Sequence, residues 1–144
     1  MYTVQDIMTR EVISLTERDD LALAENLMFF GRFHHLPVLR DGKLVGLVSE
    51  HDLLRTLASM GEAQGRTLLA RDVMVSPVEK VSPGMRLKNA LRLMLRKGYG
   101  CLPVTDREGR LLGILTLSDA TRFAARTLAG LETPERGLRQ APRA

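Results

Sequence analysis

The segment GLVSEHD, residues 46–52, returns 67 positions later as GILTLSD, residues 113–119. Each copy has a glycine, two apolar residues, a hydroxyl residue, two variable residues and an aspartate. A short apolar run of this kind indicates a strand, and Ser or Thr followed three residues later by an acid is typical of a helix start. Both copies therefore predict a strand that leads directly into a helix.

The similarity extends in both directions from these segments. Residues 4–58 align with residues 70–125, at an offset of 66 positions up to Arg40 and of 67 positions after one inserted residue. Among the paired identities are Asp6/Asp72, Met8/Met74, Leu36/Leu102, Pro37/Pro103 and Val38/Val104. A repeat that stays in register over this length predicts a duplicated structural unit.

Each unit reads as β-α-β-β-α. In the first unit the expected strands and helices cover residues 12–15, 19–31, 35–39, 43–49 and 50–60. In the second unit they cover residues 78–81, 84–97, 101–105, 110–116 and 117–130, with Ser82 as the cap of the first helix. We expect a first repeat at 3–60, a linker at 61–69, a second repeat at 70–130 and a disordered tail at 131–144.

The size of the repeats predicts how they pack. A unit of about 55 residues is small for an independent core. The helices are apolar on more than one side, as Leu91, Leu93 and Leu95 illustrate. We therefore expect an α/β (α+β) fold in which the two repeats pack on each other around a pseudo-two-fold axis, leaving one or two clefts between them.

Composition narrows the functional classes. The net charge of +4 comes from arginines that are spread along the chain, which is weak evidence for nucleic-acid binding. Cys101 is the only cysteine, so an internal disulfide is excluded and a reducing compartment is favoured. No apolar run is long enough for a membrane helix, and the N-terminus does not resemble a signal peptide. We expect a cytoplasmic protein without membrane association.

No catalytic or metal-binding signature accompanies the repeat. The chain has no phosphate-binding loop, no nucleophile elbow and no HExxH motif. The residues His34, His35, His51 and Cys101 lack the spacing of zinc ligands. We expect no enzyme activity, no metal and no required cofactor.

The repeated motif permits two interpretations. A helix N-terminus presents unpaired N–H groups that suit a phosphate, and an aspartate beside it can accept hydrogen bonds from ribose hydroxyls. The same Ser/Thr-x-x-acid pattern can also be a capping box with no further role. Gly46 and Gly113 favour the first interpretation, because glycine within a strand often marks close approach of a ligand or another backbone.

The chain resembles the cystathionine-β-synthase (CBS) domain family. The resemblance rests on the repeat order, the Asp-Ile/Val-Met openings, the Leu-Pro-Val strands and the repeated motif, and it covers residues 3–130. It implies a stand-alone two-repeat Bateman module whose regulatory ligand is an adenine nucleotide (AMP, ADP or ATP) or S-adenosylmethionine. It also implies a homodimer in which two modules form a flat disc.

The resemblance further implies two unequal binding sites. The site residues of cleft 1 would be Thr9, Ile13, Phe33, His34, His35, Pro37, Thr116 and Asp119. Those of cleft 2 would be Ser49, Asp52, Val75, Tyr99, Gly100, Cys101 and Pro103. Glu79 would face the ligand in cleft 2 and repel phosphate, so we expect cleft 1 to be the better nucleotide site.

Three functions are compatible with the sequence. The leading hypothesis is a sensor that binds an adenosyl small molecule and signals to a regulated protein. The alternatives are a ligand-free structural module that only dimerises and a regulator associated with nucleic acid, which the scattered arginines disfavour.

Overall fold

A computed structural model describes residues 1–131. The expected disordered tail therefore lies outside the described residues from position 132 onward. The elements in chain order are α1 (Val4–Ile7), β1 (Leu15–Thr16), α2 (Leu21–Gly31), β2 (His35–Arg40), β3 (Lys43–Ser49), α3 (Glu50–Met60), α4 (Glu62–Gly65), α5 (Ala70–Val73), α6 (Leu87–Lys97), β4 (Cys101–Thr105), β5 (Leu111–Thr116) and α7 (Leu117–Gly130).

Each repeat contributes a small sheet. In the first, β1 runs parallel to β2, and β2 pairs antiparallel with β3. In the second, β4 and β5 are antiparallel, and a single parallel bridge from Val81 to Val104 stands where a first strand was expected. The expected strand at 12–15 was also wrong in extent, since pairing begins at Leu15. Val12 and Ile13 instead line a cleft between the repeats.

The cap expected at Ser82 was wrong, because α6 begins only after Arg86. The carbonyls of Pro83 and Met85 accept hydrogen bonds from the amides of Gln5 and Val4, at 3.0 and 2.9 Å. These contacts hold residues 83–85 outside the helix. In the first repeat, Asp20 caps α2 by accepting a hydrogen bond from the amide of Leu23 at 2.9 Å.

The opening segments of the two repeats are exchanged, which the sequence did not predict. Val4 of α1 is fully buried in the core of the second repeat, where it packs with Leu102 and Leu115. Ala70 of α5 is fully buried in the core of the first repeat. Each core is therefore completed by the beginning of the other repeat.

Equivalent contacts on the two sides confirm the expected pseudo-two-fold arrangement. Thr9 and Ile114 exchange two backbone hydrogen bonds, and so do Val75 and Leu47, the residues at the matching positions. A further contact, a bridge between Lys43 and Arg110, joins the two hairpins. The repeats form one packed unit with clefts at the sites of exchange.

The exchange explains the two strand glycines. A Cβ on Gly113 would lie 2.7 Å from the carbonyl oxygen of Thr9 and 2.8 Å from the sulfur of Met8. A Cβ on Gly46 would meet the side chain of Met74. The close approach that these glycines permit is thus that of the exchanged segment, so they give no independent evidence for a ligand.

Candidate functional site

Cleft 1 has a volume of about 440 Å³ and lies between the end of α2 and the start of α7. It is lined by the expected residues Thr9, Ile13, Phe33, His34, His35 and Thr116. Thr116 is the N-cap of α7, so the wall includes the start of a 14-residue helix. The cleft therefore combines a helix N-terminus with side chains from the other repeat.

Asp119 lies behind this wall and is only 4% exposed. Its Oδ1 accepts hydrogen bonds from the Thr9 hydroxyl and the Arg122 guanidinium, both at 2.9 Å. Its Oδ2 accepts from the Thr116 amide at 2.9 Å and from the Thr116 hydroxyl at 3.0 Å. These four bonds use the acceptor capacity of a carboxylate. Thr116 and Asp119 thus form a complete capping box that is also tied to the first repeat.

Two basic residues of cleft 1 were not expected there, in addition to the expected His34 and His35. Arg32 and Arg122 also line it. Arg32 adopts the left-handed conformation, with φ of 56°, at the position where the second repeat has Gly98. A residue with a Cβ is disfavoured in that conformation. No pattern in the sequence marks Arg32. Arg122 lies three residues after Asp119 and forms an ion pair with it at 2.9 Å.

Both adjacent histidines line cleft 1, although successive side chains on a strand point to opposite faces. His34 precedes β2, so alternation does not govern its direction. Its Nδ1 lies 3.3 Å from a carboxylate oxygen of Glu50. His35 also lines cleft 2 and therefore stands in the wall between the clefts. Burial, together with the neighbouring His34, lowers the pKa of His35 from its usual 6.5.

Cleft 2 is smaller, with a volume of about 270 Å³. It is lined by the expected residues Ser49, Asp52, Val75, Tyr99, Gly100 and Cys101, and also by Glu79. The Ser49 hydroxyl accepts a hydrogen bond from the Asp52 amide at 3.0 Å. Within residues 1–131 the Asp52 carboxylate has no hydrogen-bond donor, and its ion pair with Arg55 is 4.0 Å long. This carboxylate is available to a ligand where that of Asp119 is not.

The remaining groups of cleft 2 give it an acidic and unreactive lining. The Tyr99 hydroxyl donates a hydrogen bond to Glu79 at 3.3 Å, and desolvation and this carboxylate raise the pKa of Tyr99. Burial raises the pKa of the Cys101 thiol to about 12, which disfavours the reactive thiolate at neutral pH.

Besides Asp119, two other expected site residues do not reach the clefts. Pro37 and Pro103 are fully buried within β2 and β4. Glu11, which was not expected in the site, also lines cleft 1. Across residues 1–131, His, Cys, Asp and Glu form no group of three or more that could hold a metal ion. Over the same residues, no helix has both the length and the apolarity needed to cross a membrane.

Comparison with known proteins identifies the family. A family model of the CBS domain matches residues 4–59 and residues 70–126. The chain belongs to the CBS domain family, and its fold is that of a CBS pair.

Solved structures of CBS pairs share this fold. The chain is 31% identical to CBSX2 of Arabidopsis thaliana, solved in complex with AMP, with a TM-score of 0.80 over 89% of this chain and 99% of that one. It is 22% identical to the CBS domain pair of protein MJ0100, solved with 5-methylthioadenosine and S-adenosyl-L-methionine, with a TM-score of 0.79 over 88% and 98% of the two chains. The second likeness shows the fold alone.

Some relatives carry the CBS pair within a larger protein. The homoserine O-acetyltransferase of Methanococcoides burtonii is 31% identical over 122 residues, which make up 84% of this chain and 24% of the enzyme. Two other curated relatives are matched over 44% and 47% of their length. The chain thus spans under half the length of several relatives, and the match is to their CBS region.

Proposed function

We propose that this CBS pair is a regulatory sensor that binds an adenine nucleotide in cleft 1 and signals to a partner protein, without catalysis of its own. The observation that carries the proposal is the cluster of Arg32, His34 and Arg122 around the N-terminus of α7. Helix N-termini and guanidinium groups both favour phosphate. The AMP complex of the similar CBSX2 supports an adenine ligand.

Ligand binding in cleft 1 requires a rearrangement at Asp119. Its carboxylate already accepts four hydrogen bonds, so ribose hydroxyls can bind only if a present donor leaves. The donor that is easiest to displace is Arg122, whose side chain is 62% exposed. We propose that Arg122 moves from Asp119 to the phosphates as the ribose arrives. A guanidinium that changes partner in this way would link occupancy to the start of α7.

Cleft 2 would take a ligand of different charge. Asp52 can accept ribose hydroxyls without displacing another donor, but Glu79 would repel phosphate. A neutral or cationic adenosyl compound such as S-adenosylmethionine fits this lining better than ATP does. We propose that the two clefts are selective for different ligands.

Calorimetry of the purified protein against AMP, ADP, ATP and S-adenosylmethionine tests the proposal, after removal of any co-purified ligand. Tighter binding of ATP than of adenosine is expected, with one nucleotide for each chain. Absence of binding by all four compounds would favour a purely structural module.

Dimerisation is a second proposed property, supported by exposed aromatic residues on the first repeat. Phe29 and Phe30 are 77% and 79% exposed and pack edge to face at 5.1 Å, and Leu54 on α3 is also exposed. We propose that these helices form the homodimer interface. Phe29→Ser with Phe30→Ser should convert a dimer to a 16.0 kDa monomer in light scattering. A wild-type protein that is already monomeric would contradict this proposal.

We also propose a cytoplasmic location and no association with nucleic acid. A cytoplasmic location rests on the single cysteine. A nucleic-acid role would require binding in gel-shift assays that weakens steeply with salt, and the dispersed arginines provide no concentrated surface for it.

A further inference from the structure

The wall between clefts 1 and 2 is formed by His35 and Gly100. Among the described residues, these two are the only ones that line both clefts. Their counterparts in the other repeat do not share this place, because Cys101 lines cleft 2 alone and His34 lines cleft 1 alone. The wall is therefore not symmetric, and a single imidazole borders both clefts.

Gly100 leaves the space that this imidazole occupies. A Cβ on Gly100 would lie 2.9 Å from Cε1 and 3.2 Å from Nε2 of His35. Contacts this short would displace the ring, so the missing side chain at position 100 is what allows His35 to stand in the wall. The edge of the ring that faces Gly100 thus carries a nitrogen at the place where the two clefts meet.

The backbone on both sides of the wall is held in place, whereas the imidazole is not. The carbonyl of Gly100 accepts a hydrogen bond from the amide of Leu117 at 3.2 Å, and the carbonyl of His34 accepts one from the amide of Glu50 at 2.8 Å. Within residues 1–131, the half-buried imidazole of His35 makes no hydrogen bond. Its two ring nitrogens are therefore available to ligands in the clefts.

The protonation of the imidazole limits what it can offer to two ligands at once. Burial and the neighbouring His34 lower the pKa of His35 below 6.5, so the ring is neutral at pH 7.5. A neutral imidazole has one N–H donor and one acceptor nitrogen. A phosphate in cleft 1 would take the donor, and the hydrogen bond made by one ring nitrogen fixes the protonation of the other. The second nitrogen could then only accept a hydrogen bond.

We propose that His35 is a binding residue of both clefts and couples the ligands that they hold. The proposal rests on the proposed function, because cleft 1 must hold a ligand with phosphates. A nucleotide there favours a hydrogen-bond donor in cleft 2, such as the ammonium group of S-adenosylmethionine, and disfavours a second phosphate. By linkage, S-adenosylmethionine strengthens nucleotide binding by the same factor.

Calorimetry of the full chain at pH 7.5 tests the coupling, after removal of any co-purified ligand. S-adenosylmethionine is titrated into the protein alone and into the protein saturated with ATP. Its dissociation constant should fall about fivefold when ATP is present, which is the effect of roughly one hydrogen bond. His35→Phe keeps a ring but has no nitrogens, so the ratio of the two dissociation constants should approach one. Cys101→Ala, at the matching position, is the control that should retain the wild-type ratio.

Two further measurements do not depend on His35→Phe being folded. Gly100→Ala keeps the imidazole but displaces it from the wall, so the ratio should also approach one. In the wild type, the ¹⁵N signals of His35 Nδ1 and Nε2 should move towards those of a single tautomer when ATP is added.

The outcomes separate this proposal from the proposed function. If neither ATP nor S-adenosylmethionine binds, the proposed function falls and the coupling falls with it. If both bind but the wild-type ratio is one, or if ATP leaves the ¹⁵N signals of His35 unchanged, only the coupling is overturned. A fivefold ratio that survives in both His35→Phe and Gly100→Ala would also overturn it, since direct attraction between the charges of the ligands would then explain the effect.

Discussion

Clefts 1 and 2 are built from equivalent segments of the two repeats, yet they offer a ligand different chemistry. Where cleft 1 has Ile13 and Arg32, cleft 2 has Glu79 and Gly98. The aspartates of the two clefts also differ in their availability to a ligand. Asp119 in cleft 1 is buried and fully hydrogen-bonded, whereas Asp52 in cleft 2 is accessible. A duplicated scaffold thus preserves the backbone of a site while each copy sets its own charge. The number of phosphates should therefore decide which cleft a nucleotide enters.

The largest expected effect separates the structural roles of the two aspartates. Asp119→Ala should lower the free energy of unfolding by about 3 kcal/mol, because it leaves Thr9 and Thr116 without their partners and removes the acidic half of the capping box of α7. Asp52→Ala should cost less than about 1 kcal/mol. Urea denaturation of the two variants measures the difference. Equal losses would show that the Asp119 network is not formed in solution.

A reciprocal exchange of lining residues tests which cleft holds ATP. At 100 times its dissociation constant, ATP should stabilise the wild type by about 2.7 kcal/mol, a melting shift of roughly 5–10 °C. Ile13→Glu should remove most of the shift, because it gives cleft 1 the acid of cleft 2. Glu79→Ile should preserve the shift and add phosphate binding in cleft 2. If only Glu79→Ile changes the response, the assignment of the clefts is reversed.

A smaller effect is expected at Arg32, where stability and affinity should move in opposite directions. Arg32→Gly copies the residue of the second repeat and relieves a left-handed conformation, so the fold should gain up to about 1 kcal/mol. ATP binding should weaken about tenfold through loss of the cation, while adenosine binding stays constant. Calorimetry and thermal melts on one preparation measure both effects. Arg55→Gln, beside Asp52, is the control that should leave ATP binding unchanged.

The smallest expected effect is a pH dependence of stability that comes from His35, in the wall between the clefts, and not from its counterpart Cys101. His35 has a folded-state pKa below 6.5, so the unfolded chain binds the proton more tightly. Stability should be fully present above pH 6.5 and should fall as the pH drops from there towards the folded pKa. His34 contributes to this lowering, while Asp52 and Glu50 oppose it. The free energy of unfolding should differ less between pH 5.5 and pH 7.5 for His35→Gln than for the wild type. Cys101, at the matching position, does not titrate in this range.

Much of the fold could be predicted from the internal repeat. The bounds of β3, α3, β4 and α7 agree with expectation because each has a strong local signal, such as the glycine turn before Lys43 or the hydroxyl caps Ser49 and Thr116. The exchange of α1 and α5 could not be predicted from the repeat. Met8 and Met74 occupy equivalent positions, so their sequence context is the same whichever core they enter.

The sequence predicted the site residues whose chemistry follows from their type alone. It did not predict the features of the site that depend on how the chain packs. The repeated hydroxyl and aspartate led to both clefts. The hydrogen bonds of Asp119 depend on Thr9, which is 110 residues away in the sequence, and on Arg122, whose side-chain direction is set by packing. Arg32 was missed because its place in cleft 1 follows from the backbone turn at the end of α2.

The exchanged opening segments also constrain how such a molecule can be assembled. A single repeat lacks the segment that completes its core, so two separate repeats would have to associate for either to fold. Residues 61–69 convert that bimolecular association into an intramolecular one. A connection this short supplies an effective concentration on the order of millimolar. All residues of the first core lie between Leu15 and Met74, so it can form once that part of the chain has been synthesised. Val4 and Met8 belong to the second core and must wait for the second repeat.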